Sequence, residues 1–410
     1  MATRATSPAA APRPPQRSPE EIAQTNRLLN EAAIFTIFNT ANPAIPNTPV
    51  PSPSDPTKLI GMNVNEDLHR FDIKVPDPGP NGFKAANRVG EQVASIHIEW
   101  RVIPDDFVAY PNVQPPPTVL DPTKSQRFCM LGGQMNFKDP EGSYLHAFGA
   151  GRTFPVMVGN QPQLRIGAVV DILEGFGKLK GAVGTIVVNG YITPPYSLDL
   201  SIVIRLLDPT GKFRAGSSIP ALKAIANPDP NTVFILLRGE ADPNNPITVN
   251  QSPDGRFLGT NLNEVLRLIH VDFDVSRGME TRNGVGPVVG RLTTVTHVDP
   301  FSKLNPAPLT TSNGVLTFFD REGKTFGTLQ ADIVEGRAFP TPMPGALSPF
   351  VRVGGFGPFA GGTGQFGGIT GLLAVNSALS LDPVAVSMLY LLRISDPDGR
   401  FRNSWQQVWG

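Results

Sequence analysis

Apolar and polar residues alternate with a period of two over much of this chain, and that period predicts β-strands. Side chains on a strand point to opposite faces in turn, so alternation separates an apolar face from a polar one. The clearest example sets Ala94, Ile96, Ile98 and Trp100 against Ser95, His97 and Glu99. The runs 200–207 and 386–394 are more uniformly apolar and predict buried strands.

One segment departs from the strand pattern and predicts a helix before the first strand. Ser18 can cap this helix, Pro19 suits its first position, and Glu21 completes a capping box. Apolar residues then supply one side of the helix: Ile22, Leu28, Leu29, Ala32 and Ala33. We expect the helix within 18–32 and one further short helix near 221–226.

Short motifs of the first half recur in the second half in the same order, which indicates a tandem duplication. Their offset drifts only between about 181 and 200 residues, and chance similarity would not remain collinear. The matched segments include 61–66 with 259–264, 90 with 290, 97–99 with 297–299, 151–155 with 336–340, 165–167 with 352–354, and 208–214 with 396–402.

The duplication predicts an all-β protein made of two tandem antiparallel β-barrels of about eight strands each, with an N-terminal helix. A closed barrel is favoured because closure removes exposed strand edges. The predicted layout is a disordered tail (1–17), the helix (18–32), β-barrel domain 1 (33–216), a linker with the short helix (217–230), and β-barrel domain 2 (231–410).

Composition narrows the possible partners and the compartment. With 35 basic and 35 acidic residues and no basic run, the chain is a poor candidate for nucleic acid or a polyanionic membrane surface. A single cysteine, Cys129, excludes a disulfide framework and a thiolate zinc site. No apolar run approaches the ~18–20 residues of a membrane helix, and the tail lacks the apolar region of a secretory signal. We expect a cytoplasmic protein, with an organellar transit peptide as the alternative for the tail.

A glycine-rich segment in the second copy resembles a known family. Residues 361–371 read Gly-Gly-Thr-Gly-Gln-Phe-Gly-Gly-Ile-Thr-Gly, which is similar to the Gly-Gly-Ser/Thr-Gly-x-Phe-x-x-x-x-Gly signature of allene oxide cyclases and plant dirigent proteins. The first copy has a weaker form at 175–184, and segments 286–290 and 316–327 follow the family's order. The resemblance implies small barrels whose apolar lumen steers a reactive hydrophobic molecule into one stereoisomer.

Departures from the family pattern argue against allene oxide cyclase activity itself. The first strands, 34–38 and 233–237, lack the carboxylate that those enzymes carry there. The family's cysteine is also missing, because Gly290 is followed by Arg291.

The dirigent side of the resemblance implies four candidate catalytic residues. Asp272 and Asp274, with Asp72 in the first copy, lie where dirigent proteins have an acidic pair, and Asp272 is the candidate of the two. Arg165 and Arg352 lie where those proteins have an arginine. In a lumen, such an acid would tend toward a raised pKa and could transfer protons. The alternative is that the acids end their strands at the rim and the arginines face water.

A histidine and an acid two residues later recur in both copies, as His97 with Glu99 and His297 with Asp299. Residues i and i+2 share a strand face, so each histidine could lean on its acid and act as a base. The alternative is a partly buried histidine paired to its neighbour for structural reasons. Two ligands per copy fall short of the usual three or four, so we expect no metal.

The glycine segment also fits a dinucleotide fingerprint at 362–367, and this alternative is weaker. That fingerprint requires a helix directly after it, and residues 368–371 are unsuited to starting one. We expect glycine-permitted bends instead, with Phe366 anchoring the segment in the core.

These observations predict a cofactor-independent, pericyclase-like cyclase or isomerase of specialised metabolism. It would bind a hydrophobic polyene or polyketide-like substrate in one lumen, and the fuller glycine signature favours the lumen of the second copy. The alternative is a non-catalytic two-barrel scaffold or hydrophobic-ligand carrier. A duplicated pair imitates a dimer, so we expect a monomer or a homodimer.

Overall fold

The computed structural model describes residues 17–158, 161–193, 197–226, 228–302, 306–343, 345–346 and 350–403. The predicted disordered tail, 1–17, lies outside these residues except for Arg17. Helix α1 spans Pro19–Asn30, and its capping box is confirmed: Glu21 N donates to Ser18 Oγ at 3.2 Å, and Ser18 N donates to Glu21 Oε2 at 2.8 Å.

The first copy forms one antiparallel sheet of nine strands. In chain order they are β1 (Ala32–Ala41), β2 (Thr48–Ser52), β3 (Asp55–Lys74), β4 (Ala86–Ile103), β5 (Gln126–Phe137), β6 (Tyr144–Val158), β7 (Gln161–Phe176), β8 (Gly184–Thr193) and β9 (Ser197–Leu207). Each strand from β3 to β8 pairs with the next, and β1 pairs with both β9 and β3. Eight strands therefore close into a ring, here called barrel 1, with β2 added beside β3.

The second copy repeats this arrangement with two insertions. Its strands are β10 (Thr232–Ala241), β11 (Thr248–Gln251), β12 (Phe257–Asp274), β13 (Glu280–Val298), β14 (Ala307–Phe319), β15 (Thr325–Gln330), β16 (Glu335–Thr341), β17 (Phe350–Ala360), β18 (Gly362–Gly364), β19 (Thr370–Leu381) and β20 (Val384–Ser395).

Barrel 2 closes in the same way as barrel 1. Strand β10 pairs with β12 and β20, and β13 joins β12 to β14. The ring runs β10–β12–β13–β14–β16–β17–β19–β20, while β11, β15 and β18 pair at its margins. The predicted fold class, two tandem antiparallel eight-stranded sheets with an N-terminal helix, is confirmed.

The two uniformly apolar runs belong to strands that are buried on both faces. Residues 200–207 of β9 and 385–394 of β20 are buried throughout. One face of each strand lines its own barrel and the other packs against the opposite barrel, which explains why alternation disappears there.

Polar side chains cross between the barrels in a two-fold pattern. Asn189 Nδ2 donates to the Leu372 carbonyl at 2.8 Å, and Asn376 Nδ2 donates to the Thr185 carbonyl at 2.7 Å. Asn189 and Thr185 lie on β8, and Asn376 and Leu372 lie on β19, the repeat counterpart of β8. The halves therefore meet as the subunits of a symmetric dimer do.

Two buried arginines repeat the same exchange. Arg205 of β9 donates to the Ser387 carbonyl at 2.5 Å, and Arg393 of β20 donates to the Asp199 carbonyl at 2.9 Å. Aromatic rings fill the rest of the contact, with Phe71 against Phe234 at 4.9 Å between ring centroids.

The predicted short helix in the linker is wrong. Residues 221–225 have no regular structure, and Ala226 forms an isolated bridge with Val89. Leu222 is buried against Gly90, where any side chain on residue 90 would collide with it. Packing along β4 thus overrides the local helix preference of this segment. Within the described residues, no helix is long and apolar enough to cross a membrane.

Candidate functional site

The lumen of each barrel contains a small cavity, which is lined by apolar residues and Trp100 in barrel 1 and by a mixture of apolar and hydroxyl-bearing residues in barrel 2. The barrel-1 cavity measures about 40 Å³ and the barrel-2 cavity about 30 Å³. Sites for drug-sized molecules usually measure about 300–1,000 Å³. The side chains of the lumens therefore leave room for only a small group.

A much larger apolar cleft lies at one end of barrel 1. It measures about 460 Å³, and its apolar wall includes Leu59, Leu120, Leu164 and Ile192. Ile192 also lines the barrel-1 cavity, so the cleft and the lumen share a wall. We call this feature the apolar cleft.

Trp100 lines the barrel-1 cavity and is 6% exposed. It lies opposite Met62 on β3 and Met130 on β5, and its ring lies 5.3 Å from that of Phe128. Its indole Nε1 has no hydrogen-bond partner among the described residues. The alternation along β4 predicted that Trp100 shares the apolar face, but it gave no indication of the unpaired nitrogen.

Barrel 2 buries a carboxyl group beside a tyrosine. Glu264 of β12 is 1% exposed, and its Oε2 accepts a hydrogen bond from the Tyr390 hydroxyl at 2.5 Å. Burial raises the pKa of Glu264 to about 7, although the tyrosine's hydrogen bond partly opposes this. Gly239 makes room for the pair, because a side chain there would meet both residues. Tyr390 also lines the barrel-2 cavity.

Barrel 1 has a matching buried carboxyl group with different partners. Glu66 of β3 accepts a hydrogen bond from Asn47 Nδ2 at 2.6 Å, and burial raises its pKa. Neither Glu66 nor Glu264 was among the residues predicted from the sequence. Their shared place in the matched segments 61–66 and 259–264 was the available signal.

The predicted acids Asp72 and Asp272 are brought together, but at the contact between the barrels. Arg70 lies between them, 3.6 Å from Asp72 and 3.4 Å from Asp272. Burial raises the pKa of Asp72 to about 6, while the nearby positive charge of Arg70 opposes the shift. Each acid lies two residues before the end of its strand, and neither lines a lumen cavity.

The predicted arginines are also away from the lumens and far from facing water. Arg165 donates to the Gly371 carbonyl at 2.8 Å, and Arg352 donates to the Gly184 carbonyl and to Asp171. Each arginine thus binds the backbone of the opposite barrel. Neither expectation for them is met, because the outer faces of β7 and β17 are covered by the other copy.

The predicted pairing of each histidine with the acid two residues later is wrong in both copies. His97 bonds to Asn65 at 2.7 Å, while Glu99 pairs with Arg101 at 2.6 Å. His97 and Glu99 do lie on the same face of β4, but each has a closer partner, whereas Asp299 lies beyond the end of β13. In the second copy, His297 bonds to Ser312 at 2.8 Å, and Asp299 accepts backbone N–H groups of the following turn.

The glycine signature forms a bend that holds a loop of the other copy. Phe366 is fully buried, as predicted, and Gln365 makes two 2.7 Å hydrogen bonds to the backbone of Phe83. Strand β19 follows the bend, so the helix required by the dinucleotide fingerprint is absent from this described segment.

Outside the lumens, a polar cleft contains charged groups that are already paired. It measures about 580 Å³ and lies beside Glu31, Arg214 and Asn283, but Arg214 pairs with Glu31 at 3.3 Å and Asn283 donates to a backbone carbonyl. No cluster of three or more His, Cys, Asp or Glu side chains suited to a metal occurs in the part of the chain that the structure describes.

Comparison of the chain with protein-family models, curated protein sequences and solved structures found no match. The resemblance to allene oxide cyclases and dirigent proteins therefore stays a prediction.

Proposed function

We propose that the protein binds a hydrophobic small molecule in the apolar cleft of barrel 1. The observation that carries the proposal is the size of this cleft, about 460 Å³, together with the wall it shares with the lumen at Ile192. Its volume lies within the range of known small-molecule sites. The lumens themselves are too full for a polyene.

The lining of the cleft favours an uncharged, mainly hydrocarbon ligand. Leu59, Leu120 and Leu164 provide aliphatic surface, and burying such surface against a ligand contributes about 25 cal/mol per Å². Lys58, the one charged residue of the lining, is already 3.4 Å from Asp55 and largely exposed.

Titration with all-trans-retinol, a neutral fluorescent polyene, tests the proposal. We expect a saturable rise in retinol fluorescence with one site per chain. Leu120→Glu should weaken binding at least about tenfold, because it places a charge in the apolar wall. Val119→Glu is the matched control, since Val119 is the exposed neighbour and is not part of the lining.

Absence of saturable binding would contradict the proposal. Equal loss of binding in Leu120→Glu and Val119→Glu would place the retinol site elsewhere. Circular dichroism of both variants confirms that each is folded.

A second candidate function, a cyclase or isomerase without cofactor, rests on Glu264 and Tyr390 of barrel 2. A carboxyl group with a pKa of about 7 can both donate and accept a proton near neutral pH. A substrate must displace side chains to reach it, because the barrel-2 cavity measures only about 30 Å³.

Incubation with achiral polyenes, followed by chiral chromatography, tests this second candidate. Formation of one cyclised enantiomer that Glu264→Gln abolishes would support it. Turnover that survives in Glu264→Gln would exclude this carboxyl group as the catalyst, and absence of turnover leaves only the binding function.

A further inference from the structure

We propose that the ligand of barrel 1 carries a neutral hydrogen-bond acceptor, such as a ketone, ester or ether oxygen, that binds Trp100 Nε1. This inference rests on the proposed binding function and names the ligand class. Trp100 is more than nine-tenths buried, and its Nε1 is unpaired within the described part of the chain. Buried donors nearly always have a partner, so an unpaired one at a cavity calls for an explanation.

A trapped water molecule does not explain the unpaired indole. A buried water usually needs two to four polar partners. The other residues that line the barrel-1 cavity have aliphatic, aromatic or thioether side chains, so Trp100 is the single lining residue with a side-chain N–H or O–H group. An acceptor atom attached to an apolar ligand is held by the ligand's hydrocarbon contacts and needs only this one donor.

In the second copy, the hydroxyl groups at the equivalent cross-strand position are hydrogen-bonded to each other. Met62 and Thr260 are equivalent in the repeat, and Thr260 pairs across the sheet with Thr296, as Met62 does with Trp100. The two threonine hydroxyls lie 2.8 Å apart and satisfy each other. Barrel 1 therefore differs from barrel 2 at this position in leaving a buried donor, on a residue that lines its cavity, without a partner among the described residues.

The sizes of the two spaces define the shape of the ligand. In the proposed complex, the acceptor-bearing tip occupies the barrel-1 cavity, about 40 Å³, and the hydrocarbon body occupies the apolar cleft, about 460 Å³. The ligand then passes Ile192, which lines both spaces and has to move aside. A carboxylate at the tip is disfavoured, because the cavity lining offers no cation to neutralise it. A methyl ketone on an alkyl chain is the simplest molecule of this class.

The test compares 2-nonanone with 1-nonene, which has the same chain length and no oxygen. Calorimetric titration of the full-length chain should give about tenfold tighter binding of 2-nonanone, the value of one buried hydrogen bond. In ¹⁵N-indole-labelled protein, the ketone should move the Trp100 Nε1–H proton signal downfield. Trp100→Phe identifies that signal among those of Trp405 and Trp409.

Trp100→Phe keeps a six-membered aromatic ring and removes the donor, so the variant should bind the two probes with equal affinity. Equal binding of both probes to the unaltered protein overturns the inference while leaving the binding function intact, as does a preference for the ketone that persists in Trp100→Phe. Binding of neither probe contradicts the proposed function itself. If Trp100→Phe does not fold, the inference is tested by the unaltered protein alone, through its ratio of affinities for the two probes and the shift of its Trp100 Nε1–H signal.

Discussion

At the scale of single residues, the most unusual group is Glu264, a carboxyl that is 1% exposed and has Tyr390 as its hydrogen-bond donor. Burial penalises the ionised carboxylate more than the neutral acid, so the folded protein holds this proton more tightly than the unfolded chain does. A carboxyl whose pKa is raised on folding favours the folded state most at pH values below its unfolded pKa. That advantage is lost as the pH rises toward the folded pKa.

The pH dependence of stability follows from this shift. Between pH 4.5 and 7 the contribution of Glu264 should fall by about 3 kcal/mol, since one pKa unit corresponds to about 1.4 kcal/mol. The side chain of Glu264→Gln stays neutral, so this variant should not show that fall in stability. Urea unfolding at pH 5 and pH 8 measures the effect: the variant should gain stability relative to wild type at pH 8. Exposed Glu322→Gln is the control, and a Glu264→Gln variant that follows the wild-type pH profile contradicts the account.

Sequence reasoning at this scale placed residues on strand faces better than it found their partners. The alternation around His97 gave its face correctly, but the side chain bonds to Asn65 on the adjacent strand. Strand register decides which side chains meet across a sheet, and a single sequence does not contain it. For the same reason, the buried partner of Glu264, 126 residues later in the chain, was not predictable.

At the scale of strands, β8 and β19 are central to the contact between the barrels. Asn189 and Asn376 occupy equivalent places, and each donates to two carbonyl groups of the other copy. Buried amides that bond to backbone carbonyls leave those carbonyls under-satisfied when the side chain is removed.

Alanine substitution tests whether the two asparagines contribute equally. Asn189→Ala and Asn376→Ala should each lower the free energy of unfolding by about 1–3 kcal/mol, and by similar amounts. Asn261→Ala is the matched control: it also removes an amide hydrogen bond from a strand, but at an exposed site, and should change stability by less than about 0.5 kcal/mol. A large effect at one asparagine and none at the other would contradict the two-fold arrangement.

The strands themselves were predictable because their hydrophobic periods are local, and the repeat was predictable because its turn motifs are local. The uniformly apolar runs at 200–207 and 386–394 even indicated burial. What covers their outer faces was not predictable, because an apolar face can pack against either a second barrel or a loop. Arg165 and Arg352 were misassigned because the cover on their own strands, β7 and β17, was equally unpredictable.

At the scale of the whole molecule, the two barrels share one apolar core region. Phe234 and Phe273 of the second copy pack with Phe35 and Phe71 of the first. Such a contact should make the barrels unfold together. Cys129 of barrel 1 reports this event, because it is fully buried and burial raises the pKa of its thiol to about 11.

Thiol labelling of Cys129 in increasing urea measures the coupling. Leu266→Ala in the core of barrel 2 removes a buried side chain and costs about 2–5 kcal/mol. If the barrels unfold together, this variant should lower the urea midpoint for Cys129 labelling about as much as Leu68→Ala, its barrel-1 equivalent. The exposed Val384→Ala should leave the midpoint unchanged. A midpoint that moves only with Leu68→Ala means independent barrels.

Binding of an apolar molecule in barrel 1, with its acceptor at Trp100, can be observed directly. A crystal structure of the full chain with 2-nonanone tests it most directly. We predict electron density for the alkyl chain along Leu120 and Leu164, with the ketone oxygen 2.7–3.2 Å from Trp100 Nε1. An empty apolar cleft at saturating 2-nonanone, or density for the ketone outside barrel 1, would contradict the account.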